Sequence, residues 1–170
     1  MTKLEHVPNG LPAITDWYGG QPAHVVSSHG KVQIVADEEW YRENMKRVYV
    51  PFPLRLSWAP SKCIKRPAVH KKIADALVDA LQEIMDYGGH DFLVKYDLDI
   101  CGGIYACRTQ RGAKQLLSTH AWGIAIDYCP VLGPYDEPGR MPHFIVDAFV
   151  KRGFTNPKRD QMHFQGACDY

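Results

Sequence analysis

Two short stretches of this chain hold the residue types that hydrolytic chemistry needs. In Ser118-Thr119-His120-Ala121-Trp122-Gly123-Ile124-Ala125-Ile126-Asp127, a histidine and an aspartate seven positions apart flank a glycine and a run of small apolar residues. Imidazole nitrogen and carboxylate oxygen both suit Zn2+. An odd spacing sends two side chains to opposite faces of a regular strand. The pair can converge only if His120 precedes the strand and the chain bends near Gly123, where the missing Cβ gives the backbone that freedom. The second stretch is Asp160-Gln161-Met162-His163-Phe164-Gln165. If His163 completes a set of two histidines and one carboxylate, a fourth zinc position stays open, as in catalytic rather than closed structural sites. Asp160 would then lie near the metal without binding it, free to take a proton from water whose pKa zinc lowers to about 7. Spacing alone leaves the commoner alternative open, because isolated His and Asp residues near strand ends are more often surface groups or satisfied polar contacts than ligands.

The elements that would position these residues are readable in outline. After Pro67, the residues Val69, Ile73, Leu77, Ala80, Leu81 and Ile84 recur at three- and four-residue spacing, which predicts an amphipathic helix stopped by Gly88-Gly89. A second helix is predicted from Phe144 to Lys151, with Pro142 at its start and Gly153 at its end. Between and beyond them lie candidate strands Ile104–Cys107, Gly123–Tyr128 and Met162–Gln165. This order predicts an α+β fold, helices on one face of a small, largely antiparallel sheet. The first sixty residues are rich in turn formers and aromatics. They offer short strands at Val32–Val35 and Leu54–Leu56 and a helix from Glu38 to Val48, with Asp37 as its N-cap. Trp17, Tyr18, Trp40, Tyr41, Tyr49, Phe52 and Trp58 are assigned to packing, as is Trp122. The expected organisation is one compact domain in which residues 1–60 form an extension packed on a catalytic core of residues 61–170.

Bulk properties exclude several function classes. The 170 residues carry a formal net charge of +1, so no global field recruits nucleic acid or an anionic membrane. No apolar stretch is long enough for a membrane span, and the first residues lack the pattern of a signal peptide. The expectation is synthesis in the cytoplasm without stable membrane association. Five cysteines without a C-x-x-C pair suggest reduced, mostly buried thiols rather than disulfides or a thiolate zinc site.

The string S-T-H-A-W-G-I-A-I-D resembles the S-x-H-x-x-G-x-A-x-D signature of the M15 metallopeptidases, and D-Q-M-H-F resembles the second half of that signature. The family includes D-alanyl-D-alanine carboxypeptidases and dipeptidases, and phage endolysins that cut between L-alanine and D-glutamate. The resemblance implies one zinc ion held by His120, Asp127 and His163, with Asp160 as general base, and a fold also similar to the hedgehog signalling domain. It further implies an arginine ahead of the signature, facing the scissile carbonyl. Arg108 is favoured for that place and Arg111 held in reserve, each with the alternative of being a surface cation. A guanidinium there would stabilise an oxyanion by roughly 3–4 kcal/mol. Ser118, Arg111 and Gln165 are candidate substrate contacts. His6, His24, His29, His70, His90 and His143 match no signature position and receive no metal role, and Asp136-Glu137 reads as solvated loop.

The implied activity is hydrolysis of an amide in peptidoglycan cross-peptides, with an endolysin-type endopeptidase slightly ahead of a D-alanyl-D-alanine carboxypeptidase or dipeptidase. A pore-forming partner would release such a lysin to the wall. The alternatives from another class are a non-catalytic zinc-containing binding module of hedgehog-like fold and a virion-attached protein. An acid at position 160 argues against the binding module.

Overall fold

The computed structural model of the chain describes residues 2–28 and 31–170, so His29 lies outside the described residues. Helix α1 (Gly10–Trp17) leads into a hairpin of β1 (Ala23–Ser28) and β2 (Lys31–Ala36). Next come α2 (Glu38–Asn44), β3 (Met45–Arg47), β4 (Leu54–Leu56), β5 (Ala59–Ile64) and β6 (Ala68–His70). The long helix α3 (Ala74–Lys95) precedes β7 (Ile100–Gly103) and a small hairpin of β8 (Thr109–Gln110) and β9 (Ala113–Leu117). A 3-10 turn (Thr119–Trp122), β10 (Ala125–Tyr128), α4 (His143–Val150) and β11 (His163–Gln165) complete the chain. The architecture is α+β, as expected. Among the described residues no helix is long and apolar enough to cross a membrane.

The central sheet has the order β11-β10-β7-β4-β5. Its neighbours are antiparallel except β4 and β7, which run parallel. Period-two alternation divides the work of β10 and β11 between two faces. Ile126, Tyr128 and Phe164 point to the side covered by α4, where Phe149 stacks on Phe164 at 4.2 Å between ring centroids and meets Tyr128 edge-on at 5.8 Å. All four are fully buried, each contributing about 2–3 kcal/mol of apolar burial. Asp127 and His163 point the other way, directly opposite one another in the β10–β11 register. Helix α3 lies against α4 and is tied to its end by Glu83, which pairs with Lys151 at 2.9 Å and Arg152 at 2.7 Å.

Several boundaries differ from the sequence expectation, each for a tertiary reason. Ile73, Leu77, Ala80, Leu81 and Ile84 are buried as predicted, but Val69 belongs to β6, drawn out of the helix by pairing with β3. The same pairing ends α2 at Asn44 instead of Val48. Gly88-Gly89 breaks α3 without stopping it. Gly89 adopts φ 77° and ψ 169°, and the helix resumes to Lys95. The strand expected at Ile104–Cys107 is supplied instead by Ile100–Gly103, because the ladder needs small residues beside the site. Gly103 pairs with Asp127, and a Cβ on Gly102 would lie 3.0 Å from Asp127 Cβ. Asp37 caps α2, accepting from the Trp40 N–H at 2.9 Å.

The N-terminal residues are bound into the sheet region that follows the site. Gly10 N donates to Cys168 O, Cys168 N to Pro8 O, and the Tyr18 hydroxyl to Gly166 O at 2.6 Å. The boundary expected between residues 60 and 61 falls inside β5. Of the aromatics assigned to packing, Tyr18, Trp40, Phe52 and Trp122 are buried, whereas Tyr49 and Trp58 are exposed.

Candidate metal and catalytic site

His120 sits before β10, as the spacing demanded, in the 3-10 turn whose N-cap is Ser118. The Ser118 Oγ accepts from the His120 N–H at 3.4 Å. Gly123 ends that turn in the left-handed region, at φ 65° and ψ 27°, and redirects the chain into β10. This bend brings the His120 ring onto the face that carries Asp127. His120 Nδ1 donates to the Ile104 carbonyl at 2.7 Å, which turns Nε2 towards Asp127 Oδ1 at 3.2 Å. His163 presents Nδ1 to the same oxygen at 2.8 Å. Its Nε2–H is shared between Gln165 Oε1 at 3.0 Å and Thr119 Oγ1 at 3.2 Å.

Three donor atoms, one from each of His120, Asp127 and His163, lie within 4.8 Å of one another. Tetrahedral zinc with bonds of about 2.0–2.2 Å places its ligands roughly 3.3–3.5 Å apart, so these separations suit one small cation. The outer nitrogen of each ring faces an acceptor, which leaves the inner nitrogen as the ligand atom. The residues therefore fit a zinc ion in both donor chemistry and orientation.

Electrostatics at the site follow from burial and close contacts. Burial alone would raise the Asp127 carboxyl, but hydrogen bonds from His120 and His163, with their charges, hold it below the ordinary carboxylate range. Burial would lower His163, yet the Asp127 contact outweighs it and raises the imidazole. Asp160 is raised, chiefly by burial, with Asp127 adding to the effect and His163 opposing it. Its Oδ1 is buried without a hydrogen-bond partner. A carboxylate so placed holds its proton more tightly, and it has a lone pair aimed at no protein group.

These groups face a cleft of about 280 Å³, lined also by Arg108, Arg111, Ser118, Gln165, Tyr135 and Arg159. Every site residue expected from the sequence except His120 lines the cleft directly, and His120 reaches it through the Asp127 contact. Arg108 is favoured from the sequence as directly following the strand expected at Ile104–Cys107, and no strand ends there. It precedes β8, its carbonyl accepting from Ser118 N at 2.9 Å, so the β8–β9 hairpin delivers both residues to one wall. Gln165 lines the cleft but is engaged with His163, a partnership legible in hindsight because positions i and i+2 share a strand face. Thr119, the Ile104 carbonyl and Arg159 were not singled out in advance, and neither was Asn156. The Asn156 Nδ2 donates to the carbonyls of Gln161 and His163 and so holds the turn between Asp160 and His163. Trp122 is core, its Nε1 donating to Gly20 O at 3.0 Å.

An α+β domain bearing two histidines and a carboxylate around one point, with a half-buried acid beside them in a cleft, has the equipment of a hydrolase. Residues 111–166, about a third of the chain, match the family model described as D-alanyl-D-alanine carboxypeptidase. The matched segment contains His120, Asp127, Asp160 and His163 and begins at Arg111, three residues past Arg108. No curated protein and no solved structure matches the chain.

Proposed function

We propose that this protein is a zinc-dependent peptidase that hydrolyses an amide bond in peptidoglycan cross-peptides. The observation that carries this reading is the convergence of His120 Nε2, Asp127 Oδ1 and His163 Nδ1 beside the unpartnered Asp160 carboxylate. His120, Asp127 and His163 would hold the metal. A zinc ion bound there supplies Lewis acidity, polarising the scissile carbonyl and acidifying the attacking water. Asp160 takes a proton from that water as its oxygen attacks the carbonyl carbon. The Arg108 guanidinium, with Arg111 as the alternative donor, stabilises the charge that develops on the carbonyl oxygen. When the C–N bond breaks, Asp160 returns the proton to the leaving amine, so the acid ends ionised and ready for another cycle.

Within this chemistry we assign endopeptidase action at the cell wall, of the endolysin kind and with release by a pore-forming partner. The description of the matched family favours a second reading, removal of a terminal D-alanine. Incubation with purified peptidoglycan and with a peptide ending in D-Ala-D-Ala, with new termini identified by mass spectrometry, separates the two. New D-glutamate amino termini support the endopeptidase and free D-alanine the carboxypeptidase. Absence of both products from a zinc-loaded preparation overturns the peptidase reading.

A further inference from the structure

Three guanidinium groups line the cleft, Arg108, Arg111 and Arg159, against the two carboxylates Asp127 and Asp160. Asp127 is engaged with the histidines, and among the described residues neither carboxylate forms an ion pair with an arginine. The cleft therefore has more cations than its own acids neutralise. The Arg111 guanidinium carbon lies 4.5 Å from the centroid of the Tyr135 ring, a cation–π contact that restrains the side chain and leaves its N–H groups for another ligand. Arg159 meets the neighbouring Asp136 through a single contact, Nε to Oδ1 at 3.2 Å, between side chains that are 82% and 52% exposed. Asp136 N also donates to Arg159 O, so the tip of this loop holds the resting partners of both arginines at one rim of the cleft. A one-point, exposed ion pair is weak. A carboxylate bound through two parallel N–H bonds is far better matched to guanidinium.

We propose that Arg111 and Arg159 form a carboxylate-binding subsite, seating a carboxylate of the peptide beside the scissile amide, with Asp136 as an internal competitor for Arg159. The proposal rests on the peptidase reading for the identity of its ligand. An incoming carboxylate takes Arg159 from Asp136, while Arg111, already oriented by Tyr135, supplies the second donor edge. The carboxylate has two possible sources, a free C-terminus or an acidic side chain next to the cut.

Three alanine-based peptides of equal length test this. One has a free C-terminus, one is amidated and carries a glutamate beside the central bond, and one is amidated and neutral. Affinities are measured by calorimetry on the full chain carrying Asp160→Asn, and kcat and KM on the unsubstituted protein. The expected result is that at least one carboxylate peptide binds about tenfold tighter than the neutral one. Which of the two does so identifies the source. Arg111→Gln and Arg159→Gln should each collapse that preference, and Asp136→Asn should enhance it. A merely structural role would shift all three peptides together and would not reverse sign at Asp136. Equal binding of the three peptides, or a preference that survives both arginine substitutions, overturns the proposal. Arginine-dependent preference without hydrolysis of any peptide leaves the subsite standing and removes the peptidase reading. Hydrolysis without preference does the reverse.

Discussion

Asp160 lies three residues before His163 and Gln165 two after it, yet the structure gives them different surroundings. Asp160 has a free, buried carboxylate oxygen, whereas Gln165 spends its Oε1 on the His163 Nε2–H. Asp160→Asn should therefore lower kcat by about 10²–10⁴-fold while one zinc per chain is retained, measured by turnover and metal analysis. Unchanged turnover would remove Asp160 from the reaction. Gln165→Ala should instead weaken zinc binding by about 10–100-fold, because the His163 ring loses the acceptor that fixes its tautomer. A chelator competition that shows no change would count against that role. His70 illustrates the opposite fate for a histidine. It is fully buried, with Nε2–H donating to Tyr18 O at 3.3 Å and Nδ1 accepting from Lys72 N–H at 3.1 Å. Burial, reinforced by the charges of Lys71 and Lys72, lowers its pKa to about 4. The unfolded chain takes up this proton first, so the stability His70 provides is complete above pH of about 6.5. It is lost as pH falls towards 4, by at most about 3 kcal/mol. Denaturant titrations across that window should show a smaller slope for His70→Gln, and identical slopes would refute the assignment.

At the scale of elements, the site depends on one bend and one strand pair. Gly123 takes φ 65°, and a Cβ there would clash with Met45 Cε and lie 3.1 Å from His70 N. Gly123→Ala should cost about 1–3 kcal/mol from the left-handed backbone alone, with a lower zinc affinity because His120 is set by this turn. Normal thermal stability and full zinc binding in that variant would show that the bend is not a constraint. The pairing of β10 with β11 then places Asp127 opposite His163, and the alternate residues of both strands pack on α4. The same alternation that makes a core on one side thus makes a candidate metal site on the other.

For the whole molecule, the three candidate ligands come from a turn and two strands that meet only in the folded chain. A metal that binds this state and not the unfolded one must stabilise it, by about 2.7 kcal/mol at a hundredfold excess over Kd. Zinc should raise Tm by roughly 5–10 °C for a domain of this size, and a chelator should reverse the shift. A Tm indifferent to both would refute metal binding at these residues.

The grouping of His120, Asp127 and His163 was legible in the sequence through the resemblance of two short motifs to a known signature, spacing alone having left surface groups as the commoner alternative, and the apolar stripe of α3 was legible because it needs only its own helical period. Gln165 as the partner of His163, Ile100–Gly103 as the strand beside Asp127, and β6 in place of a first helical turn were not. The last two are decided by a neighbour remote in the chain, a carboxylate needing a glycine beside it and a strand seeking its pair, whereas Gln165 meets His163 because the two share a strand face. Local patterning sets what a segment can become, and hydrogen bonds made across long sequence separations choose among those options.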